Sequence, residues 1–101
     1  MEGSFKATLW VNKVSIELNH FAEESLARTA AGAVSSLKGA ENIQRLELNI
    51  EQGELRIIVN GKELPLTPFP KDIITNTLVG LVSSFKGMDK IDSLKISVEA
   101  Q

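Results

Sequence analysis

Apolar residues recur at every second position near the start of the chain, at Phe5, Ala7, Leu9 and Val11, and again at Val14, Ile16 and Leu18. A period of two puts each set on one face of an extended strand. The same signature returns at Leu46, Leu48 and Ile50, at Leu55, Ile57 and Val59, at Leu64 and Leu66, and at Leu94, Ile96 and Val98. Two stretches break this rhythm with helical spacing. Ala22, Leu26, Ala30, Ala33 and Leu37 mark one helix, and Ile74, Leu78, Leu81, Val82 and Phe85 mark another. Six strands and two helices are therefore expected, every strand burying one face.

The punctuation agrees with this division. Asn60-Gly61 lies between two alternating runs and predicts a type I′ hairpin, whose two central residues need positive φ. Asn12-Lys13 occupies the equivalent corner, where lysine should carry a steric cost, so a looser turn is expected there. Asn19 and Thr67 suit helix N-caps, and Pro68 suits the first helical position, where a missing N–H costs nothing. Both helices should run about 19 residues and stop at Lys38-Gly39 and Lys86-Gly87, with Gly39 and Gly87 as left-handed C-caps.

Shifting the chain 48 places along itself lays Val11–Glu51 over Val59–Glu99 with 14 identities in 41 pairs and no gap. Two copies are too few for a solenoid, so the expectation is one domain of two equal halves, residues 1–52 and 53–101, that complete a single core. The predicted fold class is α+β: an internally duplicated β-β-α-β unit, with an antiparallel or mixed sheet of about six strands carrying both helices on one face. Mid-helix Gly32 and Gly80, each followed four residues later by serine, suggest a shallow groove in which the two helices approach closely.

The 101 residues suit one domain, and 43% hydrophobic with 24% charged residues is ordinary globular composition. Cysteine is absent, which excludes disulfides, thiolate metal sites and cysteine nucleophiles. The single histidine, His20, has only Glu23 and Glu24 beside it and reads as an exposed first-turn residue rather than a base. No phosphate loop, HExxH or GxSxG is present, so a non-enzymatic protein without cofactor or metal is expected. No apolar run approaches a membrane span, and the N-terminus lacks the pattern of a signal peptide, so a cytoplasmic location is expected.

Candidate binding residues come from the face turned away from the helices. Most predicted outer positions are polar, but Trp10 and Ile58 are apolar and stand 48 residues apart. With Arg45 and Arg56 they form the candidate binding set, for a second copy of the chain or another protein, because a rigid indole desolvates a large area at small entropic cost. Lys6, Arg45, Arg56 and Lys95 share that face with Glu47, Glu51, Glu54 and Glu99, so no basic stripe for nucleic acid forms.

The stretch VNGKELPLTPFPKDIITNTLVGLVSSFKG, residues 59–87, resembles a short module at the tail of some prokaryotic molybdopterin-guanine-dinucleotide biosynthesis B proteins. The shared features are the Asn-Gly hairpin, the Pro-Phe helix start and a G-x-V-S-S-x-x-G helix end. The first half departs from it, with Asn-His-Phe in place of Thr-Pro-Phe, and the nucleotide-binding part of those proteins has no counterpart here. The resemblance implies a small prokaryotic accessory module near molybdenum-cofactor handling and carries over no catalytic residue. A second functional expectation follows, a small-ligand or cofactor-binding accessory protein with its pocket between sheet and helices.

Overall fold

The computed structural model describes residues 5–85 and 90–100. In chain order the elements are β1 (Phe5–Val11), β2 (Val14–Ile16), α1 (His20–Ser35), β3 (Arg45–Glu51), β4 (Glu54–Val59), β5 (Lys62–Leu64), α2 (Pro68–Ser83) and β6 (Ser93–Ala100). One open sheet has the order β2-β1-β6-β3-β4-β5, and every pairing is antiparallel. Its buried face carries Leu9, Leu46, Leu48, Ile57, Ile96 and Val98, all essentially inaccessible. These form one cluster with Leu26, Ala30 and Val34 of α1 and Ile74, Leu78 and Val82 of α2, so both helices cover the same side. The fold is α+β, with the opposite side of the sheet left open.

The two halves correspond position for position in this structure. His20–Ser35 and Pro68–Ser83 lie 48 residues apart, and so do the hairpin pairs Leu9↔Ile16 and Ile57↔Leu64. The long ladders match as well, Val11↔Leu94 having its counterpart in Leu46↔Val59. Leu48 and Ile96, themselves 48 apart, are directly paired where β3 meets β6, which puts an approximate two-fold axis through the centre of the sheet. Each half therefore hands its third strand to the other. β6 lies between β1 and β3, and β3 lies between β6 and β4.

Two asparagines hold this exchange in place. Asn12 Oδ1 accepts from the backbone N–H groups of Asp92 (2.7 Å) and Ser93 (3.0 Å), and its Nδ2 donates to the Lys90 carbonyl (2.9 Å). Asn60 repeats the clamp on the other half, accepting from Gln44 (2.8 Å) and Arg45 (2.9 Å) and donating to the Asn42 carbonyl (2.9 Å). Both residues have φ of 51° at the first central position of a hairpin turn, a conformation asparagine tolerates better than most residues. The turn thus aims each side chain at the segment that enters the other half's third strand.

Several expectations require correction. The Asn12-Lys13 corner is no looser than Asn60-Gly61: Lys13 adopts φ of 69°, and Val11 pairs directly with Val14 across a two-residue turn. Both helices have 16 residues and end at Ser35 and Ser83. The chain coils on in tighter turns, with Leu37 N–H bonded to the Val34 carbonyl and Phe85 N–H to that of Val82, which is why the apolar spacing runs past the helix ends. Gly39 does adopt positive φ (87°), beyond the helix C-cap at Ser36, and Gly87 lies outside the described residues. The fully buried face of α1 is Leu26, Ala27, Ala30, Ala31 and Val34, whereas Ala22, Ala33 and Leu37 are half-buried; an alanine-rich pattern defines the centre of a face poorly. Val14 was expected inside but is 60% exposed, at the turn end of β2, a three-residue strand on the edge of the sheet.

The glycine groove is also corrected. Among the described residues a Cβ added to Gly32 or Gly80 would meet nothing within 4 Å, so neither glycine serves a close approach between the two helices. Their carbonyls instead accept from serine hydroxyls one turn on, Ser35 to Gly32 (2.9 Å) and Ser84 to Gly80 (3.0 Å).

Candidate interaction face

The open side of the sheet is ordered by the strand pairings into rows running across the strands. One central row reads Ser15, Trp10, Lys95, Asn49, Arg56. The adjacent row, two residues along each strand, reads Thr8, Ser97, Glu47, Ile58, Glu63. Each position in one row stands 48 residues from a position in the other. The first row holds two cations and no carboxylate, and the second holds two carboxylates and no cation.

Trp10 is half-buried by its neighbours, and the Lys95 ammonium lies 4.9 Å from the ring centroid, within range of a cation–π attraction. Ile58 is likewise half-buried, paired with Glu47 on β3 and Glu63 on β5. Both hydrophobes therefore do face outward, as alternation predicts. The strand order does not bring them together, however. They sit in different rows on β1 and β4, with β6 and β3 between, which separates them by roughly 15 Å at the usual strand spacing.

Each hydrophobe lies in its own depression. The first, about 380 Å³, is lined among others by Trp10, Lys13, Asn49, Glu51 and Lys95. The second, about 530 Å³, is lined among others by Ile58, Glu47, Arg45, Asn60 and Glu99. Of the two arginines in the predicted set, Arg45 bonds Glu99 across the β3–β6 ladder (2.9 Å) and lines the second depression. Arg56 donates from both Nε and Nη2 to the two oxygens of Glu63, at 3.2 and 2.9 Å. That hydrogen bonding first, and the guanidinium charge second, hold the Glu63 carboxyl below the usual glutamate range and Arg56 above its ordinary value. Lys95, Glu47 and Glu63 were not singled out from sequence as binding residues, because their importance depends on which strands are neighbours.

The helix side carries a second feature that the apolar pattern overlooked. Phe21 and Phe69, identical in the two halves, are 79% and 74% exposed at the helix starts. A cleft of about 490 Å³ beside Phe21 is lined by Ile16, Leu18, Ala22, Leu81 and Phe85 among others. Identity between the halves at an aromatic residue in a first helical turn was the available signal. Between sheet and helices the space is filled by the apolar cluster; among the described residues no polar or charged residue is fully buried, and the Thr75 hydroxyl is the one inaccessible polar side-chain atom without a hydrogen-bond partner. His20 is exposed at the start of α1, as expected. Among the described residues no group of three or more His, Cys, Asp or Glu side chains could hold a metal ion, and no helix is long and apolar enough to cross a membrane. No family model, curated protein or solved structure matches the chain, so it is assigned to no family.

Proposed function

We propose that the chain is a non-enzymatic interaction module that binds protein through its open sheet face, and that its corresponding halves are two copies of one β-β-α-β unit. The observation that carries the binding reading is that both helices cover one face, while the other holds a half-buried tryptophan and a half-buried isoleucine in paired depressions. The slab measures 34 × 33 × 19 Å between Cα extremes, so its broad face can supply the roughly 800 Å² per partner of a standard interface. The apolar cleft beside Phe21 favours a second reading, an accessory protein holding a small apolar ligand or cofactor on the helix side.

Capture from source lysate with three baits separates the two. Trp10→Ala combined with Ile58→Ser should lose the proteins that wild type retains, and Phe21→Ser combined with Phe69→Ser should keep them. The reverse pattern would transfer the site to the helix side. Near-equal melting midpoints for the three baits guard against loss through unfolding.

A further inference from the structure

Resting on the open-face reading above, we infer that the partner is a second copy of this chain, docked face to face with the two central rows exchanged. Arg56 and Glu63 are bonded to each other within the chain, so the net positive charge of one row rests on Lys95 and the net negative charge of the adjacent row on Glu47. An axis lying in the interface and running across the strands, between the two rows, sets each copy's positive row on the other's negative row. A two-fold axis running along the strands would set like on like, with Lys95 facing the row that contains it. Such like-charge juxtaposition disfavours that arrangement, so the charge pattern selects the partner and its orientation together. The same docking buries Trp10 and Ile58 of both copies, and sheets packed face to face in this way accommodate their twist at about 30°.

Charge reversal and mixing of the full chain, with association followed by analytical ultracentrifugation, test this docking. Wild type should dimerise, and the dimer should weaken as salt is raised. Lys95→Glu alone and Glu47→Lys alone should each raise the dissociation constant by about tenfold or more, since each puts like charges at both symmetry-related contacts. Mixing the two variants should restore wild-type affinity, because at one contact the reversed charges meet each other and at the other the native pair remains. A merely structural effect of either substitution would not be rescued by mixing. Single variants that weaken the dimer without rescue would overturn the row-on-row docking. Wild type that stays monomeric would overturn the self-partner while leaving the open-face reading to the lysate comparison. A dimer indifferent to both substitutions, and to Trp10→Ala with Ile58→Ser, would overturn both.

Discussion

At the scale of single residues, the asparagine clamps are the most specific feature of this chain. Asn12 and Asn60 each combine a positive-φ turn position with three side-chain hydrogen bonds to a segment of the other half. Backbone and side-chain roles can be separated, because glycine accepts the turn conformation and deletes only the side chain. Asn12→Gly and Asn60→Gly should each destabilise the fold by about 1–3 kcal/mol, at the low end of a three-bond sum because the clamps are solvent-exposed. Gln52 provides the control, with φ of 52° in the third two-residue turn and no side-chain bond of this kind among the described residues. Gln52→Gly should be neutral or slightly stabilising in the same denaturant titration. Equal effects at Asn60 and Gln52 would reduce the clamp to turn strain alone. The sequence made the Asn-Gly turn legible through its need for positive φ, but the clamp was hidden, since its acceptors and donors lie 15 to 81 residues away.

At the scale of elements, the longer strands and both helices follow from periodicity because each buries one face, whereas the short edge strand β2 has no buried residue and the helix ends do not follow from it. Ser35 and Ser83 end the helices while Leu37 and Phe85 still pack against the core, so the apolar spacing outlasts the helical hydrogen bonding. The same local blindness applies to Gly32 and Gly80. A repeated glycine in a helix suggests a close neighbour, yet both face open space. Glycine in a helix costs roughly 0.5–1 kcal/mol relative to alanine, and no contact among the described residues offsets that cost here. Gly32→Ala and Gly80→Ala should therefore stabilise the monomer, raising its melting midpoint by about 4–8 °C per kcal/mol gained in a domain of this size. A lowered midpoint in calorimetry would mean that the glycine faces are covered by something in solution.

At the scale of the whole molecule, what the sequence could not disclose is strand order, because alternation states which face of a strand is buried and is silent about its neighbours. That order separates Trp10 from Ile58, creates the two charged rows, and also makes the halves inseparable. Read across the sheet, strands from the first half and the second run first, first, second, first, second, second. Removing the second half would strip β6 from between β1 and β3 and leave the first with one short hairpin and an isolated strand. An isolated two-stranded hairpin is marginal in water, so neither half retains a sheet of its own. The correspondence in register therefore does not imply two folding units, and unfolding should be a single cooperative transition. Native-state hydrogen exchange tests this directly. Amides of β3 and β6 around the paired Leu48 and Ile96 should exchange only through global unfolding, with equal opening free energies in both halves. First-half amides opening well below second-half ones would show that α1, β1 and β2 can detach as a unit. The exchanged third strands would then fail to couple the halves.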